Sequence, residues 1–215
     1  MLTRVQLGLS RPLEQILSLL LGQCTCGQMG QMKGRALQLL AARFLAIRPT
    51  IVLFGDSFTQ RAFMPGQWGA RLATWYDRTA DVILRGYSGY NSRWILEVAP
   101  QVFRSPLAPA LVIVQAGTND SVRNAPLRGR DPVMSRQHIA VEEYEENLTK
   151  IVQLVRSIGD GSACVLLMTP CPIDDAKRQT FEGSSSCMDQ LWTNESVRQY
   201  VDACVRVGKQ VSAPV

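Results

Sequence analysis

Residues 50–57 read Thr-Ile-Val-Leu-Phe-Gly-Asp-Ser, and this stretch decides the fold. Five consecutive apolar or β-branched residues, closed at once by a glycine turn, suit a short strand buried on both faces. The same grammar recurs along the chain. Residues 81–85 (DVILR) are followed by Gly86-Tyr87-Ser88-Gly89, residues 111–115 (LVIVQ) by Ala116-Gly117-Thr118-Asn119-Asp120, and residues 163–168 (ACVLLM) by Thr169-Pro170. Helical patterns lie between them, at about 68–78, 93–103 and 142–158. In the last of these Tyr144, Leu148, Ile151, Val152, Val155 and Ile158 share one face, Glu142 and Glu143 open the helix, and Gly159 and Gly161 stop it. Val197, Val201, Cys204 and Val205 predict a final helix ending before Gly208. Strands alternating with helices predict an α/β protein, with a parallel sheet covered by helices on both faces. Ligands of such sheets bind beyond the carboxyl ends of the strands. The three polar turns stand at those ends.

Composition agrees with a globular domain. Of 215 residues, 46% are hydrophobic and 19% charged, with 16 Gly and 11 Pro, which excludes collagen, coiled coil and wholesale disorder. The sequence has no apolar run of about 18 residues, so no transmembrane helix is expected. The net charge of +5 is unevenly placed. Residues 1–48 hold six Lys/Arg and one Glu, whereas 49–215 hold 17 basic and 17 acidic residues. A nucleic-acid footprint on the main domain is therefore not expected. Residues 1–48 read as a basic extension, and 49–215 as the domain.

The extension carries apolar stretches at 13–21 and 36–47 among its basic residues. Glu14 and the lack of an A-x-A-like site argue against a secretory signal. A cytoplasmic location is expected, with a mitochondrial presequence as the alternative that the basic, acid-poor segment admits. Six cysteines, at 24, 26, 164, 171, 187 and 204, are expected to be free intracellular thiols. Cys24-Thr-Cys26 is too tight for a C-x-x-C pair, and the single histidine disfavours a mixed Cys/His zinc site.

The chemistry is expected in the turns. Ser57 follows a buried strand and a glycine, so its hydroxyl can stand at the top edge of the sheet, where a helix start favours developing negative charge. Taken alone it reads as a helix cap. Gly89, lacking a side chain, leaves its N–H open to a ligand, and Asn119 offers a carboxamide donor. Together the Ser57 hydroxyl, the Ser57 and Gly89 N–H groups and the Asn119 amide make a nucleophile with three oxyanion donors. There is neither a G-x-S-x-G elbow nor a G-x-x-x-x-G-K-[ST] phosphate loop. The Trp and Met residues read as core or pocket wall, and Glu142–Glu146 as a solvated first turn.

Gly55-Asp56-Ser57-Phe58, Gly89 and Gly117-Thr118-Asn119-Asp120 resemble three blocks of the SGNH (GDSL-type) hydrolases. Gln67-Trp68-Gly69-Ala70, Arg85-Gly86-Tyr87-Ser88-Gly89-Tyr90-Asn91 and Gln137-His138-Ile139 with Glu143-Tyr144 and Asn147-Leu148 are similar to the isoamyl acetate-hydrolysing esterases. The resemblance covers about residues 50–215. It implies a three-layer α/β/α sandwich of flavodoxin-like type and a serine esterase acting on small esters, without metal or organic cofactor. Ser57 would be the nucleophile, Ser57, Gly89 and Asn119 the oxyanion hole, and Asp56 and Asp120 the supports of the loops. Phe58 stands where Leu or Ile is usual.

That family also carries a catalytic Asp-x-x-His block after one more strand. No Asp-x-x-His occurs in the 215 residues, and Lys209-Gln210-Val211-Ser212-Ala213-Pro214-Val215 resembles the approach to that strand. The domain is thus expected to stop before its last strand and helix, with impaired activity and residues 163–168 exposed as a sheet edge. His138 lies in a noncatalytic stretch and reads as structural. A noncatalytic ligand- or protein-binding remnant and an acyltransferase are the alternatives. Neither the ester nor the oligomeric state is legible.

Overall fold

The computed structural model describes residues 48–104, 108–122, 136–159, 161–177 and 192–215. The expected extension lies outside them except for Arg48, as do Cys24, Cys26 and Cys187. Four strands follow the predicted runs: β1 (Thr50–Gly55), β2 (Asp81–Gly86), β3 (Leu111–Gln115) and β4 (Cys164–Met168). They pair in parallel in the order β2-β1-β3-β4. Five helices complete the described elements: α1 (Ser57–Gln60), α2 (Trp68–Trp75), α3 (Ser92–Val102), α4 (Val141–Arg156) and α5 (Asn194–Gln210).

Alternation along each strand divides the core into two layers. Val52, Phe54, Val112, Val114, Val165 and Leu167 face Ile95, Tyr144, Leu148, Ile151, Val155 and Tyr200, which come from α3, α4 and α5. Ile51, Leu53 and Ile113 face Ala62, Trp68, Leu72 and Tyr76 on the other side. The predicted α/β/α sandwich is therefore the observed one. Leu53 and Phe54 are wholly buried, and each such side chain contributes about 1.5–3 kcal/mol. Going from β1 to β2 the chain passes over one face. It returns from β2 to β3 over the other, as right-handed crossovers require when the direction of travel reverses. In sheets of this kind such a reversal is where ligands are expected to bind, here at the carboxyl ends of β1 and β3.

Several boundaries differ from expectation. α2 ends at Trp75 rather than near Arg78, because Arg78 adopts a positive φ of 64°. α1 has too few residues to show a period. Gly208 does not end the last helix: α5 continues to Gln210, and the glycine admits the returning chain, since a Cβ there would lie 2.1 Å from Val215 Cγ2. Trp75 and Met64, expected in core or pocket wall, are exposed, Trp75 by 83%. The β4 edge is not bare, because the Leu167 N–H donates to the Pro214 carbonyl at 2.9 Å. The acidic turn of α4 is paired as well as solvated: Glu143 holds Arg93 bidentately at 2.7 Å, and Glu145 and Glu146 meet Arg206 and Lys150. Among the described residues Cys164, Cys171 and Cys204 are free thiols, and no helix is long and apolar enough to cross a membrane.

The approach of α1 to β2 depends on Gly86. A Cβ at this position would stand 2.0 Å from the Gln60 N and 2.3 Å from its Cα, both backbone atoms. Gly86→Ala is therefore expected to destabilise the domain by at least ~1–3 kcal/mol, the scale of overpacking. Chemical denaturation checks this, and an unchanged midpoint would contradict it.

Candidate active site

Parallel register ends three strands on one line. Gly55 pairs with Gly86 on one side and Gln115 on the other, so the turns after β1, β2 and β3 leave the sheet side by side. Hydrogen bonds then tie the turns together. The Tyr87 N–H donates to the Gly55 carbonyl at 2.8 Å, and the Asp56 N–H to the Gln115 carbonyl at 3.2 Å. The Ser88 N–H donates to Gln60 Oε1 at 2.7 Å. Asn119 Nδ2 donates to the Tyr90 carbonyl at 2.8 Å. Ser57, Gly89 and Asn119 thus share one edge of the sheet, as the spacing of the turns predicts.

Asp56, not Ser57, caps α1: its Oδ1 accepts from the Phe58 N–H at 2.9 Å. Ser57 is the first residue of the helix and is half-buried. Its hydroxyl has no hydrogen-bond partner among the described residues, nor do the Ser57 and Gly89 N–H groups. Phe58, which stands where Leu or Ile is usual, is 44% exposed. Gly89 holds φ at +80°, a conformation that a side chain would strain. Asn119 is buried with one of its two Nδ2 hydrogens engaged by Tyr90, so the other is available to a ligand.

Two fully buried carboxylates brace the site. Asp120, in the turn after β3, accepts from the Ser92 N–H with both oxygens, at 2.9 and 3.0 Å, and so holds the start of α3. Asn147 Nδ2 supports Ser92 Oγ at 3.0 Å. Asp56 is also reached by Gln115 Nε2 at 3.4 Å, while Thr59 Oγ1 donates to Gln115 Oε1. Burial raises the Asp56 carboxyl to about 7, against the Phe58 N–H bond and with added repulsion from Asp120. Burial likewise raises Asp120 to about 6, against hydrogen bonds from the Ser92 side chain and backbone. Among the described residues no group of three or more His, Cys, Asp or Glu is placed to hold a metal ion.

Two further side chains belong to this edge, and nothing in their local sequence marked them as such. Asn91 is buried, caps α3 through the Trp94 N–H at 3.0 Å, and donates to the Gln137 carbonyl at 3.0 Å. Gln137 Nε2 donates to the Gly89 carbonyl at 2.8 Å and approaches Asn119 Oδ1 at 3.5 Å. Only their places in family-like stretches, Asn91 after Tyr90 and Gln137 before His138, hinted at a role. His138 itself is half-buried, with a buried Nδ1 that has no partner among the described residues.

The fold is that of the SGNH-type hydrolases, and the comparisons give the family. The chain belongs to the GDSL-like Lipase/Acylhydrolase family, whose model matches residues 53–215. It is 40% identical over 171 residues to a GDSL esterase/lipase of Arabidopsis thaliana, a match covering 77% of this chain and 68% of that protein. It is 34% identical over 182 residues to the isoamyl acetate-hydrolyzing esterase 1 homolog of Rattus norvegicus, covering 83% and 70%. The solved lipase/acylhydrolase from Enterococcus faecalis superposes with a TM-score of 0.52 at 21% identity, covering 78% of this chain and 74% of that one, which bears on the fold. The chain spans 62% to 68% of the length of three plant relatives that it matches.

The raised carboxyls make stability depend on pH with a definite sign. A group whose folded pKa lies above its unfolded value of 3.8 binds its proton more tightly in the native state. Stability is therefore greatest below that value and declines as pH rises through about 6 to 7. Glu143, which the Arg93 hydrogen bonds lower, titrates below this window. The thermal midpoint is expected to fall by several degrees from pH 5 to pH 8, as each kcal/mol moves it by roughly 2–4 °C in a domain of this size. Asp56→Asn, which keeps an oxygen to cap α1, should flatten the decline. A midpoint that rises over this range would contradict the assignment.

Proposed function

We propose that the edge formed by the three turns is the acyl-transfer centre of a serine carboxylic ester hydrolase. Ser57 Oγ attacks the carbonyl carbon of an ester, its proton passing to water or a buffer base, and the carbonyl oxygen, now negative, is received by the Ser57 and Gly89 N–H groups and Asn119 Nδ2. The C–O bond to the alcohol then breaks, leaving an acyl group on Ser57 that water removes. Preorganised donors act where charge develops, and their orientation is fixed before the substrate arrives. The observation that carries the reading is the placement of Asn119. Its amide is held by the Tyr90 carbonyl, in the turn that carries Gly89, on the edge where Ser57 has a free hydroxyl. Likeness to proteins named for isoamyl acetate hydrolysis supports a short-chain alkyl ester as the substrate class.

Attack on an alkyl ester needs a base for the serine proton and an acid for the leaving alcohol. His138 is the single histidine of the sequence, and no Asp-x-x-His is among the 215 residues. The half-reaction that tests the site is acylation of Ser57. An activated ester isolates it, because p-nitrophenolate departs without being protonated.

Treatment with p-nitrophenyl acetate is expected to add one acetyl group, located at Ser57 by peptide mass spectrometry. Ser57→Ala should abolish this label. Asn119→Ala should slow acylation by roughly 10²–10³-fold, the scale for removing one oxyanion donor. Acetylation that survives Ser57→Ala, or a rate indifferent to Asn119→Ala, would overturn the assignment.

A further inference from the structure

We propose that Gln137 is the positioning residue of the oxyanion site, clamping the Gly89 turn to the Asn119 side chain. This rests on the reading of Gly89 and Asn119 as donors. Gln137 is 7% exposed and comes from the segment before α4, outside all three turns. Its Nε2 serves two acceptors at once, the Gly89 carbonyl at 2.8 Å and Asn119 Oδ1 at 3.5 Å. The Asn119 carboxamide is consequently held at both ends, its Nδ2 by Tyr90 and its Oδ1 by Gln137, which leaves a single Nδ2 hydrogen directed by the plane of the amide. Gly89 is held through its carbonyl, so its positive φ does not let the turn swing away.

The clamp is itself immobilised. The Asn91 side chain donates to the Gln137 carbonyl at 3.0 Å. Two residues on, the Ile139 N–H donates to the Asp120 carbonyl at 3.3 Å, and the Tyr200 hydroxyl donates to the Ile139 carbonyl. The chemistry of the pair of acceptors demands an amide. Two N–H groups on one atom satisfy both oxygens, whereas a carboxylate would bring a third acceptor against them. The cost is visible: Gln137 Oε1 is buried without a partner among the described residues. Such a cost is uncompensated if the residue only fills space, since an apolar side chain would avoid it. The Nε2 contacts account for the amide.

The experiment follows Ser57 acetylation by p-nitrophenyl acetate in single-turnover mode, in the full chain. Gln137→Glu is expected to lower the acylation rate constant at saturating ester by about 10²-fold, comparable to loss of a donor, with little change in half-saturating concentration. The loss should diminish as pH falls, because a protonated carboxyl regains one donor. A residue that only supports the fold would show no such recovery. Gln137→Met, which removes the donors without adding charge, is expected to cost roughly three- to tenfold, and stands in if the first variant does not fold. A native-like thermal transition with acylation within about twofold of the native rate would overturn the proposal, as would a change confined to half-saturation. If the label is indifferent to Ser57→Ala, it is the underlying assignment of the nucleophile that has failed.

Discussion

Asp120 receives the Ser92 N–H with both of its oxygens, and this bond holds the site edge together. It joins a turn at the end of β3 to the first residue of a helix that follows β2, with β1 lying between the two strands. Around it the remaining ties are consistent in direction. Asp56 caps the helix bearing Ser57, Asn91 caps the helix that Asp120 also holds, and Asn119 reaches back to the carbonyl next to Asn91. Asp56, Asn91, Asn119 and Asp120 each meet a backbone group of another turn or of a helix start, while Gln115 and Asn147 support them through side-chain contacts. Loops leaving a parallel sheet have no ladder of their own. Their mutual geometry must come from such bonds.

That construction has an electrostatic consequence. Burial of the two carboxyls outweighs the N–H bonds they accept, so both titrate upward, Asp56 with added repulsion from Asp120 and Asp120 with added repulsion from Glu143. The arrangement sacrifices some stability near neutrality for fixed turns. Such a sacrifice suits the catalytic role proposed for this edge, because donors that must be aimed before a substrate binds cannot be left to solvent. Ser57 and Gly89 keep unengaged N–H groups within a framework whose other polar groups are mostly engaged.

The sheet was legible because its strands are continuous apolar runs closed by glycine turns, and that signal is local. Leu111–Gln115 matches the expected strand at both ends, and the long amphipathic helix differs by a residue or two. The gathering of the three turns was legible for the same reason, since residues that follow three neighbouring strands must meet at one edge. What was not legible depends on contacts far apart in sequence. Gln137 meets Gly89 48 residues away, and Asn91 meets Gln137 46 residues away. Gly208 resembled a helix stop, and only the packing of Val215 against it shows another use. Ser57 as a cap was a reasonable local reading, but Asp56 takes that role and leaves the serine hydroxyl free.

The central claim is that Ser57, Gly89 and Asn119 surround one oxyanion. It is tested most directly by a crystal structure of the chain after reaction with a p-nitrophenyl alkylphosphonate, whose tetrahedral adduct carries an oxygen where the intermediate would. The account predicts phosphorus bonded to Ser57 Oγ, with the phosphonyl oxygen roughly 2.7–3.1 Å from the Ser57 N, the Gly89 N and Asn119 Nδ2. An adduct on another side chain, or a phosphonyl oxygen on Ser57 turned away from Gly89 and Asn119, would contradict it.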